Sequence, residues 1–230
     1  MANALIYAPS GGGKTVQATR IPAPKRGSNA LLCSDNSSIV LSQPQFARPN
    51  LDVITVEHWM STDKAGKPQT YFHKQFESAV DSKQYDNIIV DNLSDLFDLA
   101  ILEMDESGRY KDMRQAYQGV YQAIKRMARK AGQLDCNIIF TAWADQQAIV
   151  LPSGEQAIRI APKLPAKILD NVLGLCNIVG YIGTARDKDG SKQWFYIMEG
   201  SPTLYAKNQV TGAAKCWPEE LWGREENERS

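Results

Sequence analysis

The chain has 230 residues, 43% of them apolar and 23% charged, with 26 Lys+Arg balanced by 26 Asp+Glu. That length suits one α/β domain with embellishments, and the apolar fraction supports a real core, which excludes global disorder. Zero net charge excludes a uniformly basic nucleic-acid binder but leaves room for a local basic patch.

In chain order, Ala4-Leu5-Ile6-Tyr7 is a short apolar run that meets a glycine-rich turn, which reads as a buried strand entering a loop. A helix is expected to open near Gly13-Lys14-Thr15 and to stop by Ile21, before Pro22 and Pro24. Asn29-Ala30-Leu31-Leu32-Cys33 is a second strand, ending in the polar Ser34-Asp35-Asn36-Ser37-Ser38. The β-branched stretch 52–56 is a third strand. After a polar loop at 61–69, Phe72, Phe76, Ala79 and Val80 recur at helical spacing. Residues 85–91 form an apolar strand ending in a carboxylate. Leu93, Leu96, Phe97, Ala100, Ile101 and Met104 then follow at helical period. Residues 112–131 predict a long helix whose inner stripe is Met113, Ala116, Tyr117, Val120, Ile124, Met127 and Ala131. Asn137-Ile138-Ile139-Phe140-Thr141 is the next buried strand.

Short apolar strands without period-2 alternation, separated by helices, imply a mostly parallel sheet covered on both faces. Beyond Trp143 the pattern changes. Residues 146–151 and 156–160 flank a Pro-Ser-Gly turn, and residues 177–182 and 194–198 flank a Lys-Asp-Gly turn, so antiparallel hairpins are expected over about 144–210. Residues 1–215 are read as a single domain and 216–230 as a charged tail that frays from Glu219 onward.

No run of 18 apolar residues occurs, so no transmembrane helix is expected, and MANALIYAPSGGGKT does not read as a signal peptide. Cys33, Cys136, Cys176 and Cys216 form no CxxC pair, and the histidines are only His58 and His73. Buried reduced thiols in a cytoplasmic protein are therefore expected rather than a zinc site.

The strongest motif is Ala8-Pro9-Ser10-Gly11-Gly12-Gly13-Lys14-Thr15, which fits the phosphate-loop pattern GxxxxGK[ST] at every position but the first. Small residues let the backbone N–H groups wrap a phosphate, the lysine reaches the β/γ oxygens, and the hydroxyl serves Mg²⁺. ATP is thus expected on Pro9, Ser10, Gly11, Gly12, Gly13, Lys14, Thr15 and Val16, with Mg²⁺ on Thr15 and Asp91. Asp91 closes a buried strand, where a carboxylate can hold Mg²⁺ through its water shell or cap the next helix; Asn92 is available for the capping. Thr141, at the end of its own strand, is a candidate sensor of the γ-phosphate or simply a hydroxyl bonded to backbone. For the water-activating carboxylate the candidates are Asp35, after the second strand, and Glu57, after the third.

The phosphate loop, Val90-Asp91-Asn92, the strand running into Trp143, Pro162-Lys163-Leu164-Pro165 and the stretch from Cys176 to Tyr181 together resemble phage nucleotide-binding proteins of the AAA/RecA-like P-loop class. That group includes single-strand annealing and recombination proteins made of little more than a RecA-type ATPase core. The resemblance implies a RecA-like fold, Mg²⁺-dependent ATP hydrolysis, binding and annealing of single-stranded DNA, and assembly as a homo-oligomeric ring or filament. It also implies a phage or host single-strand-binding protein as partner, no membrane, and a site of action in the host cytoplasm. Relatives place a basic residue at the neighbouring subunit's γ-phosphate. Lys207 resembles that position, and Arg186 is a second candidate.

Residues 109–130 carry seven basic residues against one acidic, Asp112, and this segment can track phosphates or be a solvated helix face. Arg126, Arg129 and Lys130 there, with Lys163 and Lys167 in the segment where RecA-like proteins carry DNA-binding loops, are the nucleic-acid candidates. Trp143 and Trp194 could stack bases or belong to the core. A helicase loader, a packaging accessory ATPase and a small nucleotide kinase are the alternatives.

Overall fold

In the computed structural model, which describes residues 2–223, one twisted sheet carries helices on both faces. The elements are β1 (Asn3–Ala8), α1 (Lys14–Ala18), β2 (Asn29–Cys33), β3 (Leu51–Thr55), α2 (Phe72–Ser82), β4 (Asn87–Asp91), α3 (Leu93–Glu106), α4 (Met113–Ala131), β5 (Asn137–Val150), β6 (Gln156–Pro162), α5 (Ala166–Leu175), β7 (Ile178–Arg186), β8 (Lys192–Ile197), β9 (Lys207–Asn208) and β10 (Lys215–Cys216). The sheet order is β10-β8-β7-β1-β5-β4-β2-β3, with β6 on β5 and β9 on β7. The pairings of β7, β1, β5, β4, β2 and β3 are parallel, and those of β6, β8, β9 and β10 are antiparallel. The fold is therefore the α/β architecture that the sequence predicts, with antiparallel strands toward the C-terminus.

Burial explains the composition of the central strands. All six residues of β1 are buried, with Leu5 and Tyr7 facing the larger core cluster and Ala4, Ile6 and Ala8 the smaller. A strand covered on both faces needs apolar residues at every position, which removes the alternation an exposed sheet would show. Helices α2, α3, α4 and α5 supply residues to the larger cluster. Helix α1 and the 3-10 turn Asn36–Ser42 supply the smaller.

Four sequence expectations need correction. Strand β5 runs unbroken from the sheet into the ribbon with β6, because Ala144↔Pro162 to Val150↔Gln156 continue its pairing where β4 leaves it. Helix α5 begins at Ala166, inside the 162–167 segment expected to be loop, and continues through a stretch for which no element was expected, with Ile168, Leu169 and Val172 as its buried face. On α4, Tyr117 is 38% exposed and Ala128 joins the buried stripe instead. The fraying expected from Glu219 does not hold up to Gly223: Leu221 is fully buried and the Trp222 indole donates to Asn87 Oδ1 at 3.0 Å. Glu225, Glu226 and Glu228 lie outside the described residues. No helix among the described residues is long and apolar enough to cross a membrane.

Candidate active site

The site is built where β1 gives way to α1. Gly11 and Gly13 have φ of 70° and 85°, the left-handed region in which a side chain is strained. Gly12 is required for a different reason: a Cβ there would lie 2.7 Å from Ala8 Cβ and 2.8 Å from the Pro9 carbonyl oxygen, to which its own N–H donates. Ala8, which departs from the motif, lies within the extended β1, where its methyl is buried without a positive φ. Helix α1 has only five residues, so the loop's N–H groups and Lys14, more than a helix dipole, are what residues 9–16 offer an anion.

Asp91 ends β4, one strand beyond β5, and is 1% exposed. Thr15 Oγ1 donates to its Oδ2 at 2.6 Å, Ser37 Oγ donates to the same oxygen at 3.0 Å, and Thr141 Oγ1 donates to Oδ1. Burial pushes the Asp91 pKa up, the three hydroxyls oppose that shift, and Asp35 adds to it. Burial pulls Lys14 down, against the stabilising charges of Asp91 and Asp35. Lys14 Nζ donates to the carbonyls of Ala8 and Pro9 at 3.3 and 3.1 Å. Four elements thus bring one carboxylate, one ammonium and three hydroxyls together. An oxygen set of this kind suits Mg²⁺, which binds through one or two carboxylates plus substrate phosphates and does not need an all-protein cage. Thr15 and Asp91, bonded to each other, fit that role.

A second layer surrounds this cluster. Asn92 caps α3, its Oδ1 accepting from Asp95 N at 2.8 Å, so Asp91 is free of the capping duty. Asn92 Nδ2 donates to Asp35 Oδ2 at 3.2 Å, and Asp35 Oδ1 accepts from Ser37 N at 2.8 Å, capping the 3-10 turn. The Cys33 thiol, pushed up to about 11 chiefly by burial, also donates toward Asp35. Ser34, just after β2, donates to Asp95 Oδ2 at 2.7 Å. Burial raises the Asp95 pKa, Ser34 opposes it, and Asp35, Asp98 and Asp91 raise it further.

Sequence reasoning named Lys14, Thr15, Asp91, Thr141 and Asp35, and the fold brings all five into one neighbourhood. It missed Ser34, Ser37 and Asp95. The usable signals were the serines in the polar run after β2 and the Asn92-to-Asp95 capping spacing. Glu57 stands apart: it is exposed beyond the end of β3, with β2 between β3 and β4. Lys207 pairs with Val179 near the start of β7, level with Leu5 rather than with the loop; burial lowers its pKa and Cys176 opposes that shift. Arg186 is at the opposite end of β7, on the loop side of the sheet, and donates to the Gly190 carbonyl.

The nucleic-acid candidates are scattered. Arg126, Arg129 and Lys130 are exposed on α4, and Lys130 lies 3.7 Å from Glu77 of α2. Lys163 follows β6 with its ammonium over the Trp143 ring, and Lys167 is exposed in the first turn of α5. Trp194 lies against the phosphate loop, since a Cβ on Gly13 would be 3.3 Å from its Nε1.

A glycine-rich loop between a buried strand and a helix, a lysine and threonine at its end, and a strand-end aspartate on a strand two places away define a P-loop nucleotide-binding ATPase. The chain belongs to the AAA domain family, whose model matches residues 2–210. No curated protein sequence matches it. Among solved structures it is similar to flagellar accessory protein FlaH from Methanocaldococcus jannaschii, at 12% identity and a TM-score of 0.46 over 93% of this chain and 83% of that one. It is also similar to a KaiC-like protein from Pyrococcus horikoshii, at 10% identity and a TM-score of 0.46 over 85% of this chain and 78% of that one. A third similarity is to an ATPase from the type III secretion system of pathogenic bacteria, at 15% identity and a TM-score of 0.49, covering 79% of this chain and 51% of that one.

Proposed function

We propose that this AAA-family ATPase hydrolyses ATP with Mg²⁺ to drive the binding and annealing of single-stranded DNA, acting as a homo-oligomer in the cytoplasm. In this reading it is a recombination protein of the phage type and works beside a single-strand-binding protein, with residues 1–215 as one ATPase domain. The observation that carries the ATPase chemistry is the hydroxyl-ringed Asp91 bonded to Thr15 at the end of the phosphate loop.

Residues 9–16 would cradle the phosphates through their N–H groups. Lys14 would exchange its two carbonyl partners for β/γ-phosphate oxygens, a stronger charge-assisted interaction in a buried site. Mg²⁺, held by Thr15 and Asp91, would supply neutralisation of charge on the phosphates. Thr141 ties Asp91 to β5 and can relay contact with the γ-phosphate or the attacking water.

For the carboxylate that orients water, Asp95 has the better credentials. Asp35 is engaged by Ser37 N and Asn92 Nδ2, and Glu57 is two strands from β4. Asp95 is half-buried, has its pKa raised, and among the described residues its carboxylate accepts a single hydrogen bond, from Ser34 Oγ. A base poised upward from the ordinary carboxylate range is the more effective one near neutral pH. Arg186, on the loop side of the sheet, is better placed than Lys207 to reach a neighbouring subunit's nucleotide.

ATP turnover measured with and without single-stranded DNA tests this reading. DNA-stimulated turnover that Lys14→Ala abolishes is expected. Transfer of phosphate to a nucleoside monophosphate would replace it with a kinase, and turnover indifferent to DNA would favour a loader or packaging role.

A further inference from the structure

Helix geometry divides the basic segment of α4 into two faces. Arg114, Gln118, Tyr121 and Lys125 succeed one another at spacings of four, three and four residues, which puts them on one stripe. Arg126 and Lys130, one residue round the helix from Lys125 and four apart, lie on another. There Lys130 approaches Glu77 of α2 at 3.7 Å. The first stripe faces α5 across a groove of about 720 Å³, to which Lys167 and Asp170 contribute from the other wall and Ile168 from within.

Two properties of this groove point the same way. It is cationic: Arg114, Lys125 and Lys167 line it against the single carboxylate of Asp170, although Asp112 pairs with Arg114 at 2.8 Å. Lys125 and Lys167 have no anionic partner within 4.0 Å among the described residues. It is also aromatic. Tyr121 stacks on Phe97 with ring centres 5.8 Å apart and planes at 19°, Tyr117 meets Tyr121 edge-on at 6.3 Å, and both tyrosines line the groove. Phe97 backs the tyrosines, so their rings are held in place by packing rather than free to collapse.

We infer that the α4–α5 groove is the path of single-stranded nucleic acid, with bases stacking on Tyr117 and Tyr121 and phosphates running along Arg114, Lys125 and Lys167. Charge along a backbone track beside aromatic faces is the physical requirement for binding a single strand without reading its sequence. A duplex, whose bases are already stacked on one another, could offer only its phosphates. This inference rests on the DNA-binding reading above and moves the interface away from Arg126, Arg129 and Lys130.

The test is fluorescence anisotropy of a labelled oligo(dT) titrated with the full chain in Mg²⁺ and ATP. Lys125→Glu with Lys167→Glu should weaken binding at least tenfold and lower the salt dependence, by about 0.7 in the logarithmic slope for each phosphate no longer neutralised. Tyr117→Ala should weaken binding about fivefold or more, and Tyr117→Phe should restore it, since stacking needs the ring and not the hydroxyl. Arg126→Glu with Lys130→Glu should change affinity less than twofold. A weakening produced by that second pair, with the groove variants binding like the parent, would overturn the groove while leaving DNA binding intact. Groove variants that change only the oligomeric state on gel filtration would assign the groove to a second copy and overturn the inference as well. A parent chain that binds no oligonucleotide would sink both this inference and the DNA-binding function.

Discussion

The two halves of β5 belong to one continuous strand but differ in composition and surroundings, NIIFTAW within the sheet and ADQQAIV beyond it. The inner half lies between β1 and β4, with Ile138, Ile139, Phe140 and Ala142 buried, and it delivers the Thr141 hydroxyl to Asp91. The outer half leaves the parallel sheet and pairs only with β6, and at the ribbon's tip Val150 is 70% and Ile158 57% exposed. One continuous strand therefore joins a buried, polar-lined chemical centre to an exposed apolar ribbon. Chemistry needs groups fixed by several partners at once, which only the covered part of the sheet supplies. Substitutions at the inner end should act on turnover, and substitutions on the ribbon should barely affect stability.

The largest effect is expected from Lys14→Ala. Loss of one preorganised cation at developing negative charge should lower kcat by about 10²- to 10³-fold or more. A phosphate-release assay at saturating ATP measures it, and near-normal turnover would mean that the inner end is not the catalytic centre. Asp95→Asn comes next, with kcat lowered about 10²-fold, the lower range for a positioned base, and nucleotide affinity kept. A parallel loss of affinity would reassign Asp95 to tying β2 to α3 through Ser34.

The Asp91→Asn variant separates stability from activity within the inner half. Burial raises the Asp91 pKa above its unfolded value, so the folded state holds the proton more tightly. The sign follows: this carboxyl favours folding as pH falls through its raised pKa and disfavours folding at higher pH. An asparagine carries no such penalty. At neutral pH Asp91→Asn should therefore raise Tm, by about 2–4 °C for each kcal/mol recovered in a chain of this size, and the gain should shrink as pH falls toward 4. Turnover should be lost at the same time. Calorimetry across pH checks this, and a variant less stable than the parent at neutral pH would show that the hydroxyl bonds of Thr15, Ser37 and Thr141 outweigh the buried charge.

The same inner–outer division explains what the sequence reveals. The phosphate loop is legible because its requirements are local: Gly11 and Gly13 need positive φ and Gly12 needs the absence of a side chain. Asp91 is legible because a carboxylate closing the buried apolar run Ile88-Ile89-Val90 is out of place unless it is used. Ser34, Ser37 and Asp95 are not legible in the same way, because their roles depend on β2 lying beside β4, a pairing between residues more than fifty positions apart. Helix α5 was hidden by the prolines at 162 and 165, which read as loop although Pro165 serves as its N-cap. The continuity of β5 was hidden because its alternating outer half reads as the start of a new strand.

The smallest effect should come from the ribbon, and it gives the comparison its sharpest limit. Ile158 and Val150 are large apolar residues with most of their surface in water, so their removal forfeits little burial. Ile158→Lys should change stability by no more than about 0.5 kcal/mol, as for an ordinary surface position. Its pairing with Ala148 is through the backbone and survives any side chain that tolerates an extended conformation. Basal ATP turnover should be unchanged, because the ribbon contributes no side chain to the Asp91 cluster. Urea unfolding followed by circular dichroism, with turnover assayed in parallel, measures both. A loss of several kcal/mol would mean that the ribbon is covered in the protein's working assembly, and the outer half of β5 would then belong to an interface.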